Sequence, residues 1–192
     1  MKTRILALIL AVLFVFSCAS AEQNVLYPSS TGLFAFEIPG DYIVVDGETI
    51  AELAQTADGI AMLNDLGITA EMLGSLDFSS IEYYYTPDFT GSLNVNAMYG
   101  DVSMEMIELY YTELDSVLME QYGAFGVSKS DMESLGVQSF GENRFYGFQV
   151  YVFGTLLWQF ITVDNNNIQY TFTFNNFDPE VVVNILSTFI VL

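Results

Sequence analysis

The chain has 192 residues, with 24 aspartates and glutamates against 4 lysines and arginines, and no histidine. Its one cysteine, Cys18, and two of its bases, Lys2 and Arg4, lie near the N-terminus, so from Glu22 onward the acids face only Lys129 and Arg144, a formal charge of −22. This inventory excludes histidine catalysis and ligation, a thiol nucleophile beyond residue 18 and a cationic phosphate clamp, and it makes nucleic acid and anionic membrane surfaces poor partners, since binding there runs on lysine and arginine.

Residues 1–21 read as a signal peptide: Lys2 and Arg4 are a basic start, Ile5 to Phe16 an unbroken apolar stretch, and Ser17-Cys18-Ala19-Ser20-Ala21 a small-residue end. The stretch is short for a transmembrane helix, which needs about 20 apolar residues. Two processing routes stay open. Ala19-Ser20-Ala21 fits cleavage before Glu22, whereas Val15-Phe16-Ser17-Cys18 resembles a bacterial lipobox that would lipidate Cys18 and make a lipid anchor the only link to a membrane. Either route places the protein outside the cytoplasm.

Residues 22–31 are polar and carry Pro28, as a short leader would. From there to residue 192 the hydrophobic and aromatic shares of the whole chain, 52% and 15%, argue for one packed domain rather than disorder. Gly32 to Ile38 alternates as a strand and stops at Pro39-Gly40, and Tyr42 to Val45 is a second short strand. Over residues 48–66 the period changes: Ile50, Leu53, Ala57, Ile60 and Ala61 recur at helical spacing, with Gly59 weakening the centre and Gly67 ending the helix. Thr69 caps a short helix from Ala70 to Leu76. Tyr83-Tyr84-Tyr85 and Leu93 to Tyr99 pair around the turn Pro87 to Gly91. Ser103 then caps a helix whose stripe is Met104, Ile107, Tyr111, Leu114 and Leu118, closed by Gly123.

Strand follows strand after Gly136: Val137–Phe140, Phe145–Phe153, Leu156–Val163 and Ile168–Phe174, broken at Gly141-Glu142-Asn143, Gly154 and Asp164-Asn165-Asn166-Asn167. Phe145–Phe153 is apolar on both faces, as a strand covered on both sides requires. Asp178 and Pro179 open a last helix with Val181, Val182, Ile185, Leu186 and Phe189 inward. Burying these faces predicts an α+β fold, a three-layer α/β/α sandwich with a mostly antiparallel central sheet.

Three features together resemble the PsbP-like superfamily, including bacterial PsbP-related exported proteins. They are Phe36-Glu37-Ile38-Pro39 followed by Gly40-Asp41-Tyr42, the long helix after the first strands, and the closing run Ile168 to Phe174 with the helix ending Ile185-Leu186-Ser187-Thr188-Phe189. The resemblance covers roughly residues 32–192 and implies an α/β/α sandwich serving as an accessory or binding module rather than an enzyme, with no catalytic residue to carry over.

The constellations support the same expectation of no catalytic set, no metal site and no cofactor. Glu105 and Glu108, one turn apart with Asp101 before the cap, complement a helix N-terminus. Asp164-Asn165-Asn166-Asn167 supplies oxygens of the kind Ca²⁺ takes but lacks the order and distal glutamate of an EF-hand loop, and suits a turn with positive φ. Ser128-Lys129-Ser130 has the wrong spacing for a Ser-x-x-Lys hydrolase, and Ser130-Asp131 suits a helix cap. Lys129 and Arg144 are surface partners for carboxylates. Among the many aromatics most must be core, while Tyr84 and Trp158 are candidates to line a pocket or interface. The functional expectation is an exported bacterial accessory module that binds a protein partner or a small ligand. A secreted carboxylate-based hydrolase and an acidic envelope protein binding cations weakly are the alternatives.

Overall fold

The computed structural model describes residues 23–192 apart from residues 67, 76–79, 125 and 153. The expected signal peptide, Cys18, the helix stop at Gly67 and the strand end at Phe153 lie outside the described residues, as does the side chain of Leu114. In chain order the elements are β1 (Asn24–Pro28), β2 (Phe34–Pro39), β3 (Ile43–Val45), α1 (Gly47–Leu53), α2 (Ala57–Asp65), α3 (Ala70–Ser75), β4 (Ile81–Tyr85), β5 (Ser92–Tyr99), α4 (Met104–Leu109), α5 (Tyr111–Ala124), β6 (Met132–Phe140), β7 (Asn143–Val152), β8 (Thr155–Val163), β9 (Ile168–Asn175), α6 (Pro179–Thr188) and β10 (Ile190–Val191). The fold is mixed α and β with two sheets, one of three strands in the order β1-β2-β10 and one of seven in the order β3-β4-β5-β9-β8-β7-β6. All pairings are antiparallel.

Alternation along the strands divides the side chains of the large sheet between its two faces. Tyr84, Leu93, Val95, Phe145, Phe160, Tyr170, Phe172 and Phe174 join Phe34, Phe36 and Ile38 of β2 and Val182, Ile185, Leu186 and Phe189 from α6 and its end in one cluster. The rings meet edge to face: Phe172 and Phe189 lie 5.3 Å apart at 89°, and Phe145 and Phe172 5.7 Å apart at 85°. On the other face α1 and α2 cover Val45, Ile81, Tyr83 and Tyr85 with Ile50 and Leu63. At the opposite edge of that face α4 and α5 cover Tyr146, Phe148, Val150 and Ile161 with Ile107 and Leu118. The Tyr146 hydroxyl donates to Asp115 of α5, and burial followed by that bond raises its pKa above the usual phenol range.

The second sheet departs from the expected single sheet. Residues 24–28, expected as leader, form β1 and pair with β2 from Asn24↔Pro39 to Pro28↔Ala35. On the far side of β2, β10 pairs at Ala35 and Phe34. Beyond β10, α6 satisfies the remaining edge, because the Glu37 N–H donates to Thr188 Oγ1 (3.0 Å) and Asn184 Nδ2 donates to the Glu37 carbonyl (3.2 Å).

Two expected helices are each divided. The 48–66 segment becomes α1 and α2, with Thr56 accepting from the Gly59 N–H at 3.0 Å as an N-cap. Gly59 is where the joint closes: a Cβ there would stand 2.1 Å from the Leu53 carbonyl oxygen. The helix after Ser103 breaks at Tyr110, so Tyr111 turns outward at 41% exposure instead of joining the stripe, and Gly123 sits inside α5 rather than closing it. Residues Lys129–Asp131 form a 3₁₀ turn leading into β6, not the start of a helix. The caps Ser103 and Asp178 stand as read, accepting from the Met106 and Glu180 N–H groups.

Candidate functional site

Trp158, the one tryptophan of the chain, stands on β8 between Gln149 of β7 and Phe174 of β9. Pairing between β8 and β9 begins only at Leu157↔Asn175, so Thr155 and Leu156 overhang the end of β9. Beneath this overhang lies a pocket of about 480 Å³. Trp158, Leu156, Phe174 and Phe177 supply its apolar surface, and Thr90, Thr155, Asn175 and Asn176 its polar groups.

The turn between β4 and β5 builds one wall. Asp88 Oδ1 accepts from Thr86 Oγ1 (2.7 Å), Thr90 Oγ1 (2.9 Å) and the Thr90 N–H (3.1 Å), and those bonds, the Thr86 hydroxyl first, hold its carboxyl below the usual range. Gly91 must lack a side chain, since a Cβ would meet the Asn176 carbonyl oxygen at 2.8 Å and Thr86 Cγ2 at 2.9 Å. Asn176, at φ 53°, donates from Nδ2 to the Thr90 carbonyl at 3.0 Å and ties the turn to the strand end.

None of the eight wall residues named is titratable, so the pocket presents aromatic rings beside neutral hydroxyl and amide groups. Near the pocket, but not open to it, one acceptor is unspent: Asn175 Oδ1 is buried without a hydrogen-bond partner among the described residues, and Asn175 pairs with Leu157, so its side chain alternates to the sheet face opposite Trp158 and Phe174. A buried carbonyl oxygen in this condition forfeits about 1–3 kcal/mol that a donor would restore. The arrangement is equipped to hold a neutral molecule with a flat or ring face and a few hydroxyl or amide groups.

Tyr84 does not join Trp158 in that pocket. It is fully buried, its ring 5.1 Å from Phe36 and 5.6 Å from Tyr27, and its hydroxyl donates to Glu82 Oε2 at 2.5 Å. The expectation that Tyr84 lines a surface is corrected because β4 is covered on both faces, leaving no exposed side for any member of the tyrosine triplet. Burial first, then the Glu82 charge and bond, pushes its pKa far above the usual phenol value.

Glu82 itself escaped the sequence reading. It is 1% exposed, and its carboxylate accepts from the Ser30 N–H and hydroxyl, both at 2.5 Å, as well as from Tyr84. It pins the β1–β2 turn to β4. The only sequence signal was a lone acid inside the apolar run Ile81-Glu82-Tyr83-Tyr84-Tyr85.

The remaining constellations resolve as structure. Glu108 is ion-paired with Arg144, whereas Glu105 stays exposed at the start of α4, its carboxyl lowered first by its own backbone N–H and then by the Ser103 hydroxyl. Asp164 Oδ1 accepts the N–H groups of Asn166 and Ile168, each at 2.8 Å, and Asn167 sits at φ 62°, so this carboxylate shapes the β8–β9 turn. The Ser128 hydroxyl donates to Asp131 at 2.5 Å within the 3₁₀ turn. Among the described residues no three or more carboxylates or thiols gather as a metal site, and no helix is long and apolar enough to cross a membrane. The outward aromatics among the described residues are Phe89, Tyr99, Tyr110, Tyr111 and Tyr151, none of them read from the sequence as a surface candidate and Tyr111 read as part of an inward stripe.

No family model and no curated protein matches the chain. Among solved structures, a protein from Bacteroides thetaiotaomicron VPI-5482 is similar, with 13% identity and a TM-score of 0.46 across 89% of this chain and 49% of that one. The chain therefore spans about half the length of that protein.

Proposed function

We propose that this protein is a non-catalytic, extracytoplasmic binding domain that takes a small uncharged polar ligand in the Trp158 pocket. The observation that carries this reading is the hollow at the β8 overhang, where the Trp158 and Phe174 rings lie beside hydroxyl and amide residues with no titratable group among the wall residues named. A carboxylate-based hydrolase of the glycosidase kind needs carboxyls facing one another across a cleft, and the pocket's wall offers hydroxyls and amides instead. The basic, apolar and small-residue order of residues 1–21 supports export, with Cys18 either lipidated or removed. The packing of β1, β2, β10 and α6 on one face of the large sheet and of α1, α2, α4 and α5 on the other supports a layered sandwich of the PsbP-like kind, with a second small sheet added to the helical layer.

Because Trp158 is the only tryptophan, its emission reports the pocket directly. Titration with a panel of neutral sugars, polyols and amides should give a saturable spectral shift for one class. Calorimetry with Trp158→Ala should show that binding weakened about tenfold or more, and Leu156→Ala, on the same face of β8, should weaken it as well. Binding that survives both substitutions, or turnover lost on replacing a single carboxylate, would overturn the reading. A protein recovered from the cytosol with its mass beginning at Met1 would overturn the assignment to the cell exterior.

A further inference from the structure

A second surface, which the pocket does not use, lies along the end of β5 and the outward side of α4. Met98 and Tyr99 are 53% and 76% exposed, Met106 46%, Leu109 74% and Tyr110 57%, whereas Ile107 points into the core at 5%. Met106 and Leu109 stand one turn apart on α4 and are exposed with Tyr110 at its C-cap and Val102 just before its N-cap, while Ile107 faces the core, so α4 is apolar both toward the sheet and away from it. The inward side serves the fold; the outward side has the character of an interaction surface. Residues 98–113 also contain Asp101, Glu105, Glu108 and Glu113 and no base, and the nearest cation to act on them, Arg144, engages Glu108.

We propose that this face docks a basic amphipathic segment of a partner protein, its apolar residues seated on Met106, Leu109 and Tyr110 and its lysines or arginines facing Asp101 and Glu105. Charge selects this occupant. A second copy would bring the same four acids and a formal charge of −20 to the contact, and an anionic bilayer would be repelled by both. A basic segment turns the same charges into attraction and covers the apolar residues in one step.

The test uses the full-length protein and a labelled peptide of about 18 residues built from leucine and lysine with one apolar helical face, at about 150 mM salt. A second peptide of the same composition, scrambled to abolish that face, is the control. Fluorescence anisotropy should show saturable one-to-one binding of the first peptide and at least about tenfold weaker binding of the second. Leu109→Ser with Tyr110→Ser should weaken binding about tenfold, with the circular dichroism spectrum unchanged because both residues are exposed. Asp101→Asn with Glu105→Gln should weaken it and flatten its salt dependence, while Glu48→Gln with Glu180→Gln, exposed acids on α1 and α6, should not. Equal affinity for the two peptides, or indifference to the serine pair, would overturn the proposal. So would sedimentation of the free protein as a dimer that Leu109→Ser dissociates, since the occupant would then be a second copy.

Discussion

Replacing Gly59 by alanine sets two effects of opposite sign against each other. Gly59 is the third residue of α2, and helix propensity alone favours alanine there by about 0.8–1 kcal/mol. The packing opposes it, because the added carbon would lie 2.1 Å from the Leu53 carbonyl oxygen, 2.7 Å from the Leu53 carbonyl carbon and 2.8 Å from Thr56 Oγ1. Two of those atoms are backbone and cannot rotate away, so α1 and α2 must separate. Separation strains the Thr56 N–H bond to the Leu53 carbonyl (3.2 Å) and the Thr56 cap on the Gly59 N–H (3.0 Å). Losing a cap costs about 1 kcal/mol and overpacking about 1–3 kcal/mol, so after the propensity gain a net loss of about 1–3 kcal/mol remains. For a domain of this size that lowers Tm by about 2–12 °C. Urea unfolding followed by circular dichroism and Trp158 emission measures it, with Gly123→Ala in α5 as the matched control. A Cβ at Gly123 meets nothing within 4 Å, so that variant should gain up to about 1 kcal/mol. If Gly59→Ala is as stable as the parent, or the two alanines shift stability in the same direction, the reading of the α1–α2 joint is refuted.

Three further outcomes are expected. Glu82→Ala strands the buried Tyr84 hydroxyl and the Ser30 N–H and should cost about 2 kcal/mol in denaturant unfolding, whereas Glu82→Gln, which keeps an acceptor, should cost less. In alkali, burial and Asp164 place the Tyr170 phenol at about 12 against an ordinary value near 10. Below about pH 10 both states keep the proton and stability is whole. Between about 10 and 12 the unfolded chain releases a proton the folded chain retains, so stability should fall as pH rises. Tyr84, Tyr85 and Tyr146, all shifted upward, steepen the decline, and tyrosinate absorbance should rise together with loss of near-ultraviolet dichroism. Asp164→Ala removes two N–H bonds from the β8–β9 turn and should cost about 1–2 kcal/mol, while Ca²⁺ and Mg²⁺ at matched millimolar concentrations should raise the parent Tm equally.

The antiparallel run from Val137 to Phe174 was legible because its turns are punctuated by Gly141, Gly154 and Asn167, all at positive φ, between alternating segments, whereas Met132 to Leu135, the part of β6 before its register shift, was not read as strand. The caps Ser103, Thr56 and Asp178 carry their own signal, although Thr56 was read as helix interior. What could not be read depends on partners distant in sequence. Asn24 to Pro28 offers only the short run Val25-Leu26-Tyr27 between polar residues and a proline, without alternation, and becomes β1 by pairing with β2. The break at Tyr110 carries no glycine or proline, and it turns Tyr111 outward. The same limit explains the candidate site. Tyr84 and Trp158 are both aromatic residues on strands, and alternation assigns each to a face. Whether that face is covered, as it is above Tyr84 by Tyr27 and Phe36, or open at a strand overhang, as at Trp158, is decided by the other sheet and by where β9 stops.

The placement of β2 between β1 and β10 also governs the order in which the molecule can assemble. Glu37 meets Thr188 across 151 positions and Asn184 across 147, so the layer over Phe145, Phe172 and Phe174 cannot close until residues 184–191 have emerged. Hairpins from β6 to β9 can form from neighbours in sequence, but they wait with one aromatic face uncovered. Such high contact order delays commitment to the native state. The delay also sets where the proposed export would leave its mark: a chain passed across a membrane in extended form would lack the strands that lock the domain until residues 24–39 and 184–191 met on the far side.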